Sequence, residues 1–152
     1  VSWMCCSKVC QPGFADLNLE LPISKKNQPD KNTKWEKSII KSRSTFPIAN
    51  ESWKTNAVRK DDEIILTLER IKNKNPAIPN TPYFFCEDGL IHSDKKQLIQ
   101  ISTGDSVVLK LQISDFGPEN PTHLKGIFFN KNGLHDKSGA SPVYINVPIK
   151  NS

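Results

Sequence analysis

Positive charge and tryptophan side chains occur together between residues 24 and 60. This segment holds ten Lys or Arg residues against three acidic ones, whereas the rest of the chain holds eleven against thirteen, which accounts for the net charge of +5. Lysine and arginine attract phosphates by releasing counterions, and aromatic rings stack on bases. This chemistry gives a set of candidate ligand-binding residues: Lys34, Trp35, Lys37, Lys41, Arg43, Trp53 and Lys54. A purely structural interpretation also fits them, with the tryptophans in the core and the lysines on a solvated strand edge.

Cysteines are the second group of residues that can do chemistry. Cys5, Cys6 and Cys10 lie close together, and Cys86 lies far away in a predicted strand. The paired spacings typical of structural zinc are missing, so no metal site is predicted. Either two disulfides form in an oxidising compartment, one with Cys10 and one with Cys86, or the thiols near residue 1 are free and Cys86 is buried.

Sequence motifs that would identify an enzyme are missing. There is no nucleophile elbow, no P-loop and no dinucleotide-binding glycine pattern. The acidic pairs Asp61-Asp62 and Glu87-Asp88 stand beside predicted turns, where charged residues are usually only solvated. No cofactor is predicted, and the histidines are too scattered for a metal site: His92, His123 and His135. Enzymatic activity therefore stays uncertain, and a non-catalytic protein is favoured.

An internal repeat indicates which elements position these residues. Residues 62–68 align with residues 105–111, and Phe84-Phe85 aligns with Phe128-Phe129 at nearly the same offset. The alternation of residues 107–113 predicts a strand, so the equivalent residues 64–71 should form a strand as well.

Each Phe-Phe pair is followed by a turn dipeptide, Asp88-Gly89 in one copy and Asn132-Gly133 in the other. Such dipeptides predict two-residue hairpins, because these turns require positive φ. We interpret the repeat as two halves of a β-sandwich that face each other and share the same packing needs. The alternative is a duplicated ligand site in which His92 and His135 are equivalent.

Further strands are predicted from alternation or composition at residues 16–21, 35–41, 51–58 and 142–149. Pro148 lacks a backbone donor, which favours an edge or strand-end position for the last strand.

Together these patterns predict an all-β chain, a single antiparallel β-sandwich of about seven to nine strands. Immunoglobulin-like, cupredoxin-like and jelly-roll connections all fit. We expect a Cys-rich tail over residues 1–12 and one sandwich domain over residues 13–152. No run approaches the roughly 20 apolar residues of a membrane-spanning helix, which indicates a soluble protein, either cytoplasmic or secreted after loss of a signal.

The missing catalytic motifs favour a binding or assembly module. It would act through sandwich loops or an edge strand, with a protein partner or a second copy of itself as the ligand. The alternative function is binding of nucleic acid or another polyanion through residues 24–60. An enzyme, either a glycan hydrolase or a thiol-dependent catalyst, comes third.

Overall fold

The computed structural model describes residues 1–6, 10–18, 20, 35–102, 105–131 and 141–151. Strands account for 51% and helix for 7% of this part of the chain, so the prediction of a β-rich protein is confirmed. No helix among these residues is both long enough and apolar enough to cross a membrane. In chain order the elements are β1 (Ser2–Cys6), β2 (Cys10–Phe14), α1 (Glu36–Arg43), β3 (Ile48–Ala49), β4 (Trp53–Lys60), β5 (Glu63–Arg70), β6 (Pro82–Cys86), β7 (Leu98–Ser102), β8 (Ser106–Gln112), β9 (His123–Asn130) and β10 (Val143–Asn151).

The chain divides into two compact units, Val1–Glu36 and Lys37–Ser152. In the first unit, β1 and β2 form an antiparallel hairpin in which Trp3 is opposite Gly13 and Cys6 is opposite Cys10. The strand predicted over residues 16–21 is not found, because residues 16–18 and 20 belong to no strand. Residues 19 and 21 lie outside the described part of the chain.

Helix α1 replaces the strand that the sequence predicts over residues 35–41. Its first turn contains the acidic Glu36 and its last turn two basic residues, which matches the direction of the helix dipole. The hydroxyls of Ser44 and Thr45 then donate 2.7 Å hydrogen bonds to carbonyl oxygens at the end of the helix. No residue of α1 is buried, so its β-branched isoleucines are not drawn into a sheet and the local charges and caps decide its structure.

One mixed sheet of eight strands forms a nearly closed barrel in the second unit. The strand order is β6-β9-β10-β4-β5-β8-β7, and β3 pairs with β10. β10 runs parallel to β3 and β4, which is possible because the intervening strands supply the long connection that a parallel pair needs. The two-layer sandwich and the purely antiparallel sheet are therefore not confirmed.

The repeated segments lie side by side in this sheet. β5 pairs antiparallel with β8, so Leu66 is opposite Leu109, and β6 pairs antiparallel with β9, so Phe84 is opposite Phe128. The strands predicted from the repeat are confirmed. Their similarity reflects strands that pair with each other, since partners in one register share the same buried positions.

The hairpin predicted at Asp88-Gly89 is only partly formed. Gly89 has the positive φ that such a turn needs, at 73°. The chain that follows does not continue as a strand. It forms a loop over residues 87–97 that touches the end of β8 through one isolated bridge, Ile91 to Ile113. The second predicted turn, Asn132-Gly133, and His135 lie outside the described residues.

β10 is an interior strand, so of the two positions that Pro148 suggested, a sheet edge or a strand end, the edge is not found. It pairs with β9 along one side and with β3 and β4 along the other. The register with β4 begins at Ile149, directly after Pro148. A residue without an N–H is therefore placed where the pairing changes, and not where it would interrupt a ladder.

Alternate residues of the strands fill the interior of the barrel. Burying a large aliphatic or aromatic side chain contributes about 1.5–3 kcal/mol, so this cluster supplies the main stabilising free energy. The buried apolar residues are Trp53, Ala57, Ile64, Leu66, Leu68, Phe84, Leu90, Ile91, Val107, Leu109, Leu111, Leu124, Phe128, Val143, Ile145 and Val147.

β6 and β7 are the two ends of the sheet, and we call the gap between them the seam. Gln97, which is 6% exposed, crosses the seam with its side-chain amide. Its Nε2 donates to the carbonyl oxygen of Phe84 at 2.7 Å, and the N–H of Phe84 donates to its Oε1 at 2.9 Å. One glutamine thus supplies the hydrogen bonds that a neighbouring strand would otherwise provide.

Candidate functional site

Five apolar side chains share the outer surface of three neighbouring strands. Phe85 of β6, Ile127 of β9 and Tyr144 of β10 are aligned across the sheet, and Tyr83 is aligned with Phe129 in the next row. We call Tyr83, Phe85, Ile127, Phe129 and Tyr144 the aromatic face. Apolar groups that stay together on a surface mark interaction sites more often than isolated ones do.

The rings of the aromatic face pack against one another. Phe85 stacks on Phe129 with 5.1 Å between ring centroids and 27° between planes, and Tyr83 lies 4.8 Å from Phe85. Phe85 nevertheless remains 50% exposed, and Tyr144 38%. Mutual packing restricts the rotamers of these rings, so a ligand would order few additional side chains on binding them.

A cleft of about 580 Å³ runs beside β6, between this strand and the loop over residues 87–97. Its lining includes Tyr83, Phe85, His92 and Phe116, and we call it the aromatic groove. Phe116 is 92% exposed, although a large apolar ring usually avoids water. The volume lies within the range of ordinary ligand sites.

Hydrogen bonds fix the loop wall of the aromatic groove. The Tyr83 hydroxyl donates to the Ser93 carbonyl oxygen at 3.2 Å, and His92 Nδ1 lies 3.1 Å from Asp94 Oδ1. A backbone hydrogen bond and the contact with His92 hold the pKa of the Asp94 carboxyl below its usual range. The loop is also tied to β8, because the N–H of His92 donates to the Gln112 carbonyl at 3.0 Å.

Cys86 lines the same groove, but its environment does not activate it. Burial raises the pKa of the Cys86 thiol, and the hydrogen bond from its Sγ to Asp88 Oδ1 at 3.1 Å raises it further. A nucleophilic cysteine needs the opposite shift, since the thiolate is the reactive form. Cys86 is therefore a neutral thiol at pH 7.

A second cleft, of about 540 Å³, continues past the other end of β6. Tyr83, Ser93 and Asp94 line both clefts, so the two meet at the Tyr83 side chain. The second cleft differs in its charge, because its lining also includes Lys95, Lys96 and Lys131. We call it the lysine groove. The ammonium group of Lys131 lies 5.6 Å from the centre of the Tyr83 ring, within cation–π distance.

The residues proposed from the basic segment differ in their exposure. Trp53 is 4% exposed and packs edge-on against Phe128, so its ring has little surface for stacking on a ligand. Lys54 points the other way and lies 3.9 Å from Glu69. Three candidates are exposed on α1, namely Lys37, Lys41 and Arg43. Trp35 is 61% exposed, and Lys34 lies outside the described residues.

The cysteines near residue 1 differ in state. Cys5 is exposed and has a free thiol, whereas Cys10 is disulfide-bonded. Cys86, in the barrel, also has a free thiol. The side chain of Cys6 lies outside the described part of the chain. No group of three or more His, Cys, Asp or Glu side chains that could hold a metal ion occurs among the described residues.

Sequence reasoning missed the aromatic face, although a signal for it was present. Tyr83-Phe84-Phe85 and Ile127-Phe128-Phe129 each place three apolar residues in a row. A strand with one buried face needs an apolar residue only at every second position. The central Phe of each run is buried, so its two neighbours must face outward.

Comparison with protein-family models, with curated proteins and with solved structures finds no match to this chain.

Proposed function

We propose that this protein is a non-catalytic binding module that holds an apolar segment of a protein partner in the aromatic groove. The observation that carries the proposal is the aromatic face, in which five neighbouring apolar side chains are turned outward beside an open cleft. Aromatic residues are enriched at the centres of protein interfaces, where they supply most of the binding energy.

The chemistry of the aromatic groove favours a protein ligand over a small polar one. Phe85 and Phe116 offer only apolar surface, and the Tyr83 hydroxyl already donates its proton to the Ser93 carbonyl oxygen. A sugar needs hydrogen-bonding groups placed around its ring, whereas apolar side chains of a peptide need mainly desolvated contact area.

Two-dimensional NMR with a neutral peptide tests this function. The probe is an acetylated and amidated hexapeptide, Phe-Leu-Phe followed by three glutamines. We expect saturable shifts around Phe85, His92 and Phe116 at up to about 1 mM peptide. The Phe116→Ser variant should bind about tenfold more weakly, because truncating an aromatic anchor costs more than about 1 kcal/mol. Its ring is so exposed that the fold does not depend on it.

Leu98→Ser is the matched control, because Leu98 is 53% exposed on β7 and does not line the aromatic groove. This variant should bind the peptide like the parent protein. Shifts that are absent, or that are the same in Phe116→Ser, would refute the proposal. Sedimentation over a concentration series tests the second possible occupant: dimers that Phe116→Ser abolishes would show that a second copy fills the groove.

Binding of nucleic acid or another polyanion through residues 24–60 is the second candidate function. The observation that favours it is on α1, where Lys37 and Lys41 are one helical turn apart and both are exposed. Arg43, on the same helix, is exposed as well. Exchanging Lys41 and Arg43 for Glu should abolish retention of an oligonucleotide in a low-salt gel shift. Retention that these changes leave intact would exclude α1 as the site.

A further inference from the structure

We infer that the protein partner carries acidic residues directly beside its apolar anchor, and that these acidic residues bind in the lysine groove. This inference rests on the proposed function and specifies the partner's chemistry and its direction along β6. Its starting point is that the two grooves are neighbours along β6, since Tyr83, Ser93 and Asp94 line both. An extended chain lying along β6 would therefore contact both.

The lysine groove is lined by more basic than acidic residues. Lys95, Lys96 and Lys131 all line it, and none of them lies within ion-pair distance of a carboxylate among the described residues. Asp94 is the single acidic residue in the lining, and its carboxylate faces His92 at 3.1 Å. Three lysines against one aspartate leave a net positive lining, which favours carboxylates on the ligand.

Charge is distributed unevenly along β6. The lysines stand at the end where β6 begins, whereas Glu87 and Asp88 follow directly after its last residue. Glu87 accepts a hydrogen bond from Tyr144 at 2.7 Å and so holds its charge beside the aromatic face. A ligand complementary to this surface therefore carries its negative charge only at the end that meets the lysines.

This asymmetry favours an acidic peptide over a nucleic acid. A nucleic acid carries a phosphate at every step, so its backbone would meet Glu87 and Asp88 as well as the lysines. The rings of the aromatic face also stack on each other, which leaves them less free to accept bases between them.

Four hexapeptides and one oligonucleotide test the inference on the intact chain by NMR and calorimetry. The peptides combine Phe-Leu-Phe with three Glu, three Gln or three Lys, and a fourth combines Ser-Gly-Ser with three Glu. The oligonucleotide is a six-residue oligothymidylate. At low salt we expect the Phe-Leu-Phe-Glu peptide to bind about tenfold more tightly than its Gln counterpart, and this gain to shrink as salt screens the charges.

Variants assign this gain to the lysine groove. Lys95→Glu combined with Lys96→Glu should remove the tenfold difference and leave the Gln peptide unaffected, because neither lysine lines the aromatic groove. Lys110→Glu is the control, because Lys110 is an exposed lysine of β8 that does not line the lysine groove.

The outcomes separate the inference from the proposed function. Equal affinity for the Glu and Gln peptides would overturn the inference and leave the proposed function standing. Equal affinity for the two Glu peptides, with and without Phe-Leu-Phe, would overturn the proposed function and leave an anion site. Tighter binding of the oligonucleotide than of any peptide would overturn the inference in favour of nucleic acid. If neither the peptides nor the oligonucleotide bind, both the inference and the proposed function are overturned.

Discussion

The Tyr144 hydroxyl ties two strands together on the outer surface of the barrel. It donates a 2.7 Å hydrogen bond to Glu87 Oε2, which reaches from β10 across β9 to the residue after β6. This hydrogen bond is the main reason that the pKa of Tyr144 is raised from its ordinary value of 10.0. The bond therefore stabilises the fold while the phenol is neutral, and this contribution is lost as the pH rises through the raised pKa.

Absorbance at 295 nm should show the Tyr144 phenol ionising above pH 10. The sequence has two tyrosines, so the Tyr83→Phe variant reports Tyr144 alone. Adding Glu87→Gln should lower its pKa, because a neutral amide no longer favours the protonated phenol. Glu69→Gln, on β5, serves as the control and should change nothing. A Tyr144 pKa at or below 10 in Tyr83→Phe, or no response to Glu87→Gln, would show that the hydrogen bond does not form in solution.

At the scale of elements, β9 depends on a glycine that brings it close to β6. Gly126 is buried, opposite Cys86 on one side and Ile145 on the other. A β-carbon there would lie 2.7 Å from Cζ of Phe84 and would collide with the carbonyl oxygen of Phe85. The oxygen belongs to the backbone of a paired strand, so it has little freedom to move away.

Gly126→Ala should therefore destabilise the protein by about 1–3 kcal/mol, as overpacking of a well-filled core does. Urea unfolding followed by tryptophan fluorescence measures this, because Trp53 lies in the same core. Lys125→Ala, the neighbouring outward residue, should stay within about 0.5 kcal/mol of the parent. A Gly126→Ala midpoint equal to the parent's would mean that β9 can shift away from β6.

The elements also differ in how well local sequence predicts them. β5 and β8 follow from alternation and from the repeat, because their buried positions recur at every second residue. α1 could not be predicted in this way, since neither of its isoleucines is buried and its end charges and hydroxyl caps decide its structure. The position of β10 depends on pairing with strands far away in sequence, and one proline gives no information about its partners.

The candidate site also has one part that local sequence could predict and one part that depends on the tertiary fold. The runs Tyr83-Phe84-Phe85 and Ile127-Phe128-Phe129 contain enough information to predict outward aromatic residues. Their union into one aromatic face depends on the register of β6, β9 and β10, which local sequence does not determine. The lysine groove depends even more on the tertiary fold, since Lys96 stands just before β7 and Lys131 directly after β9.

At the scale of the whole molecule, closure of the barrel depends on a side chain and not on a strand. The outward edge of β6 has little left to pair, because Pro82 has no N–H and Gln97 occupies both polar groups of Phe84. An unpaired edge would be a template for aggregation, so a buried amide across the seam protects it. Asn50 makes the same pair of bonds with Trp53 at the start of β4, at 2.9 and 3.1 Å.

Gln97→Leu keeps most of the side-chain volume and removes every hydrogen bond. The N–H and carbonyl of Phe84 would stay buried without partners, at a cost of about 1–3 kcal/mol each, so we expect a loss of about 2–6 kcal/mol in the free energy of unfolding. Hydrogen exchange at the Phe84 amide should accelerate beyond that of its neighbours in β9, because the seam opens before the rest of the sheet. Gln100→Leu, an exposed position on β7, should preserve both stability and protection. If Phe84 remains protected in Gln97→Leu at unchanged stability, then another group closes the seam, and the groove beside β6 must be supported from elsewhere.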